Sequence, residues 1–227
     1  MKKQVIVLSL GGSLIIPDKV NEKYLKEFKK IILKNTPKYK FIIVCGGGSL
    51  ARKYITALQT KPYPIQSTAG IAATRANAKF VSCFFNQELT LELPVTVKEI
   101  KKQLKRQDLV ICGALGFKPK QTTDSNAAEI AAYFKTPFIN LTNVSGLHTN
   151  NPKKVKTAKL IPRITWKEFY KMANKSAFKP GQHFVLDQRA SEIILENKVK
   201  TYILGTNVKQ LGNLLKNKKF IGTEISG

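Results

Sequence analysis

Five short apolar runs, at residues 5–10, 41–45, 109–112, 138–141 and 201–204, carry no charged residue and are too short to be helices of their own. A strand that is apolar on both sides has to be covered on both sides, which is the pattern of a parallel sheet rather than a half-exposed antiparallel one. Between the first two runs, Leu25, Phe28 and Ile32 fall at helical spacing in a lysine-rich segment, with Asn21 placed to cap its start. Strand, helix, strand is a parallel unit, and the rhythm continues along the chain. Helices are predicted at 50–58, 71–84, 124–134, 187–196 and 207–216, and a last strand at 222–225. Thr96 with Glu99, and Thr165 with Glu168, have the spacing of a capping box, and the first opens a helix to about 106. Residues 149–180 hold eight Lys and one Arg against Glu168, and read as a surface excursion carrying the second of these helices. The expectation is one α/β domain over 1–227: a three-layer α/β/α sandwich around a mostly parallel central sheet.

In such sheets ligands bind at the carboxyl ends of the strands, so the residues after each run matter most. They are Gly11-Gly12-Ser13, then Gly46-Gly47-Gly48-Ser49, then Gly113 to Gly116 leading into Lys118–Asp124 by number 118–124, then Thr142 to Gly146. Glycine lets backbone N–H groups approach an anion, and a helix starting just behind such a loop adds its positive end. Four such loops on one edge favour a phosphate ligand over mere chain reversal. The P-loop signature is excluded, because no glycine is followed by lysine. Gly46, Gly48 and Ala51 match the dinucleotide fingerprint in form. The acid that should follow to hold a ribose is absent, since no Asp or Glu lies between Glu27 and Glu88.

Composition adds limits. Lys and Arg number 39 against 14 Asp and Glu, a net charge of +25, of which only Arg52, Arg75, Arg106, Arg163 and Arg189 are arginine. Such a field attracts phosphates and other polyanions without naming one. The lysines are spread through every segment and no aromatic-rich RNA motif occurs, so no specific nucleic acid is expected as partner. No run is long enough to span a membrane, and no membrane partner is expected. At 43% hydrophobic the chain can build a core. Cys45, Cys83 and Cys112 fit no zinc spacing and are read as buried thiols of a reducing, cytoplasmic protein.

The loops just described, with Gly46 to Tyr54, Thr74-Arg75-Ala76-Asn77, Gln121-Thr122-Thr123-Asp124 and Thr142 to Gly146, occur in an order and spacing that resembles the amino acid kinase superfamily, in particular the archaeal-type uridylate kinases. The resemblance spans nearly the whole chain. It implies phosphoryl transfer from ATP to UMP with Mg²⁺, in pyrimidine nucleotide synthesis. It also implies an acceptor half at about 1–141, an ATP half at about 142–227, and a hexamer built as a trimer of dimers. Carried over residue by residue, it places Gly12, Ser13, Gly48, Arg52, Thr142, Asn143, His148 and Asn151 at ATP. Gly47, Ser67, Phe117, Lys118, Pro119, Lys120, Gln121, Thr122 and Thr123 fall at UMP. Arg52 and Asp124 are the expected catalytic residues, and no side chain is expected as a metal ligand. The arginine fork suits bidentate phosphate contact. Asp124 also suits a helix N-cap, as does Asp187. Arg75 is expected at a subunit contact, and Trp166 and Phe169 in packing.

The chain departs from the pattern of its relatives at several points. Ser67 stands where they carry an aspartate for the ribose. Ser145, His148 and Asn151 stand for an Asp, a Tyr and an Asp. Ser9 occupies a position that many members give to a phosphate-binding lysine. The departures leave open a nucleotide- or anion-binding relative with weak or no kinase activity, or a kinase for another small phosphate acceptor.

Overall fold

The computed structural model describes residues 3–87, 92–119, 121–152, 154–175 and 185–227. Lys120 lies outside the described residues. The predicted runs form β1 (Gln4–Leu10), β2 (Tyr39–Cys45), β3 (Leu109–Cys112), β4 (Phe138–Leu141) and β6 (Thr201–Leu204). With β5 (Arg163–Ile164) and β7 (Thr223–Ile225) they make one sheet of order β3-β2-β1-β4-β6-β7-β5. The five long runs pair in parallel, β7 is antiparallel to β6, and β5 is parallel to β7.

Helices cover both faces, which is why the strands read as continuous apolar runs. Ile6, Leu8 and Leu10 pack with Leu25, Phe28 and Ile32 of α2 (Glu22–Asn35), Val81 of α4 (Tyr63–Phe84) and Leu211 of α9 (Val208–Leu214). Val7 on the opposite face packs with Ile100 of α5 (Val97–Leu104), Ile130 of α6 (Thr123–Phe134), Phe169 of α7 (Trp166–Ala173) and Ile193 of α8 (Gln188–Glu196). Phe28, Phe41, Phe138 and Phe169 are fully buried, each contributing about 2 kcal/mol of burial energy. Asn21 caps α2, and both expected capping boxes are formed, at Thr96/Glu99 and Thr165/Glu168.

Some features differ from expectation. The fourth helix begins at Tyr63 rather than 71, since Pro62 and Pro64 preset its first turn and remove two of the amides that would otherwise lack partners there. The lysine-rich stretch is less of an excursion than its charge suggests: His148 bridges Leu160, and β5 joins the sheet. Cys45 and Cys112 are buried, but Cys83 is exposed. Burial pushes the Cys112 thiol up to about 12 and raises Cys45 well above the ordinary range, so both are unreactive. They belong to opposite faces of the sheet.

Candidate active site

Chain order runs from β1 through β2 to β3 on one side, then crosses to β4 on the other. The switch point between β1 and β4 is where an open α/β sheet leaves a crevice at its carboxyl edge. The four predicted loops therefore lie side by side on that edge.

The loops after β1 and β2 touch through backbone. A Cβ on Gly12 would come within 1.9 Å of the Gly48 nitrogen. Gly48 has φ +61°, and a Cβ there would lie 2.4 Å from the Gly12 carbonyl oxygen. No other residue fits either position. Gly12 also opens the one-turn helix α1 (Gly12–Ile15), and Ser13 follows it. Behind the second loop, α3 (Gly48–Ala57) starts from Gly47 with no side-chain cap, leaving its positive end to the backbone. Arg52 is exposed one turn past Gly48.

The long helix α4 braces two of the loops. Asn77 donates to the Gly46 carbonyl at 2.8 Å, and the Ala114 amide donates to the Thr74 hydroxyl at 2.9 Å. The Arg75 guanidinium donates to the Ala114 and Leu115 carbonyls at 3.2 and 3.1 Å. Within this chain Arg75 is thus a brace for the loop after β3. Sequence reasoning missed that role, although Thr74 and Asn77 are polar residues at i and i+3 on a helix face. Ser67 sits half-buried on the same helix, one turn after Tyr63, whose ring packs against Phe117 at 6.2 Å between centroids. Phe117, Lys118 and Pro119 are exposed, and Lys118 is held by Glu129 at 2.7 Å. The Gln121 amide donates to the Lys118 carbonyl at 3.3 Å.

Two helix starts meet over the end of β1. Thr122, not Asp124, caps α6, by accepting from the Asp124 amide at 3.1 Å. Asp124 is left free of capping, and its Oδ1 accepts from the Ser9 hydroxyl at 2.6 Å. Asp187 does cap α8, accepting from the Ala190 amide at 2.8 Å. It also accepts from Ser125 at 2.6 Å and from the Thr122 hydroxyl, tying α8 to the start of α6. Burial pushes the Asp124 carboxyl up to about 7; the Ser9 hydrogen bond works against that, and the nearby Asp187 charge adds to it.

In the loop after β4, the Thr142 amide donates to the Leu204 carbonyl at 2.9 Å and Asn143 is exposed. The His148 ring lies 3.0 Å from the Gly146 carbonyl and 3.4 Å from the Ser145 hydroxyl. The Asn151 carbonyl accepts from the Lys154 and Val155 amides. These residues follow the strand on the far side of the switch point from Ser67 and Phe117.

Glycine loops in backbone contact, an uncapped helix start and hydroxyl-bearing strand ends meet around a switch point, the arrangement of an α/β protein suited to holding phosphate. The family model for the amino acid kinase family matches residues 4–205, and the chain belongs to that family. Uridylate kinase of Thermococcus sibiricus is 32% identical over 222 residues, covering 94% of this chain and 96% of the relative. Uridylate kinase of Archaeoglobus fulgidus is 35% identical over 207 residues, covering 88% and 91%. A crystal structure of uridylate kinase from Archaeoglobus fulgidus superposes with a TM-score of 0.84 at 30% identity, covering 97% of this chain and 99% of that one. An isopentenyl phosphate kinase structure shares the fold, with a TM-score of 0.70 at 18% identity.

Proposed function

We propose that this chain is an ATP-dependent UMP kinase, transferring a phosphoryl group from ATP to UMP to give ADP and UDP. The observation that carries the reading is the backbone contact of Gly12 with Gly48 at the switch point. It brings two N–H-rich loops together, which supports a site in which two phosphate chains meet end to end. The similarity to proteins named uridylate kinase over most of both chains supports the choice of acceptor.

Phosphoryl transfer asks little covalent work of side chains; it asks for alignment and for neutralised charge. In this reading Gly12, Ser13 and Gly48 cradle the ATP phosphates, while Thr142, Asn143, His148 and Asn151 line the nucleoside side. Gly47 faces the UMP phosphate, Ser67 reaches the ribose, and residues 117–123, Lys120 among them, wrap the rest. Arg52 is the catalytic cation, and its exposure leaves it able to reach phosphate. Asp124 is the catalytic carboxylate, whose ionised form aligns the donors surrounding the transferred group. The acceptor half is 1–141 and the ATP half 142–227.

Mg²⁺ would supply positive charge between the phosphates. Among the described residues no cluster of three or more His, Cys, Asp or Glu converges as a metal cage. In this reading the ion is held by phosphate oxygens and water, and this chain is assigned no ligand to it. Exposed Tyr54, Ile55, Tyr63, Ile65 and Phe80 on α3 and α4 support burial against further copies, in the hexamer that the resemblance implies. Among the described residues no helix is long and apolar enough to cross a membrane. A cytoplasmic place in pyrimidine nucleotide synthesis follows from the proposed reaction.

The test is ADP release from ATP with UMP, CMP, dUMP and isopentenyl phosphate in turn. Release with UMP well above the others is expected. ATP binding with no release for any acceptor would sink the kinase reading and leave a binding protein.

A further inference from the structure

We propose that Ser9 is a positioning residue of the transfer site, its buried hydroxyl fixing the carboxylate of Asp124 beside the glycine loops. The proposal rests on the kinase reading above, in which Asp124 is catalytic. Ser9 is the one polar residue in 5–10, the run that forms most of β1, and it is fully buried. Its neighbours on the same face, Val5 and Val7, pack into the core against α6 and its partners. Packing alone would be served by alanine, and a buried hydroxyl is costly without a partner. The partner it has is Asp124 Oδ1, 115 residues away in sequence and 2.6 Å away in space.

The kind of partner matters. Asp124 is held by a hydroxyl, and Asp187 by the hydroxyls of Thr122 and Ser125 and one amide. A hydroxyl steers a carboxylate and favours its ionised form without cancelling the charge, as a lysine would. In a chain with 39 Lys and Arg, the charge of Asp124 is thereby kept for the substrate complex. Among the described residues, the Ser9 hydroxyl and the Asp187 carboxylate are the groups that act on its charge, the first favouring the ionised form and the second opposing it. The first strand brings Ser9, and α8 brings its cap Asp187, its Arg189 being paired with Glu192 and its Glu196 standing at the far end; β4 carries no charged side chain, and the second strand carries only Lys40, bound at the far end by Asp108 and the Leu104 carbonyl.

Removing the hydroxyl leaves burial and Asp187 unopposed, so Asp124 will hold its proton to higher pH. The experiment measures kcat and KM against pH for wild type, Ser9→Ala and Ser9→Thr. In Ser9→Ala the acid limb of kcat is expected about one pH unit higher, with kcat at pH 7 about fivefold lower and both KM values within about twofold. Ser9→Thr, which keeps the hydroxyl, is expected to restore the profile. Ser9→Cys keeps the volume with a weaker donor and serves if the alanine variant does not fold; its limb is expected between the two. A second readout needs no activity: carbon NMR titration of the carboxyls in aspartate-labelled protein. The chain has four aspartates, Asp18, Asp108, Asp124 and Asp187, and Asp124→Asn identifies the signal. If the Asp124 signal moves up in Ser9→Ala while no variant phosphorylates UMP, the positioning contact stands and the kinase reading falls. If that signal titrates at the same pH with and without the hydroxyl, the proposal is overturned whatever the activity.

Discussion

Asp124 couples function to stability with a definite sign. Its folded pKa of about 7 lies above the ordinary value of 3.8. The group therefore favours the folded state below about pH 4, and that contribution is lost as pH rises toward 7. Part of the residue is open to solvent, which tempers the size of the effect. Asp124→Asn should raise the melting temperature of the ligand-free protein at pH 8, by about 1–2 kcal/mol of stability, with the gain fading by pH 4, while kcat falls steeply. Thermal melts across pH check this, and a gain that does not vary with pH would contradict it. Lys118 makes a second case. It is expected at the acceptor, yet Glu129 holds it at 2.7 Å in an exposed pair. Such pairs are worth up to about 1 kcal/mol, so Glu129→Gln should lower the KM for UMP by about two- to fivefold and leave the KM for ATP unchanged. Steady-state kinetics with each substrate varied will show it.

At the scale of elements, the glycine loops and the joined helix starts are the parts least tolerant of change. Gly48→Ala places a Cβ 2.4 Å from the Gly12 carbonyl at φ +61°. It should cost about 2 kcal/mol or more of stability and at least about a hundredfold in kcat, read by denaturant melts and ADP release. Asp187→Ala removes the α8 cap and its links to Thr122 and Ser125, at about 2 kcal/mol, with the loss concentrated in early amide exchange of α8. The main elements were legible because each strand is a charge-free run and each helix a periodic one with a start signal. Asn21, Thr96 and Thr165 cap where their spacing said they would. The fifth strand was not legible, since a two-residue strand carries no period and its place is set by pairing with the distant β7. The site was legible as loops and not as contacts. Nothing in the spacing of Ser9 and Asp124, of Lys118 and Glu129, or of Arg75 and the Leu115 carbonyl reports that they meet. The only trace of the first was a lone serine inside an apolar run. Asp124 was misread as an equal candidate for the cap because Thr122, two residues earlier, offers the same chemistry.

For the whole molecule, +25 is a load on folding. Like charges spread over one surface repel, and salt screens them within about 10 Å at 0.1 M. The melting temperature should therefore rise with sodium chloride from 0.02 to 0.5 M, by several degrees, and a flat or falling trend would mean that local pairs such as Lys3–Asp108 and Lys200–Glu224 dominate. Polyphosphate or ATP should do the same at far lower concentration. The contact of Gly12 with Gly48 has a further consequence, in heredity rather than energy. Every glycine codon begins with two guanines, and any single-base change outside the last position installs a side chain or a stop. Where backbone meets backbone, the gene has no neighbouring sequence to drift into. A lysine codon on the exposed coat can wander through many residues unnoticed. Variation in this gene should accordingly collect on the charged surface and stay silent at the paired glycine loops, so that the two loops mark the site in any set of variants selected for growth.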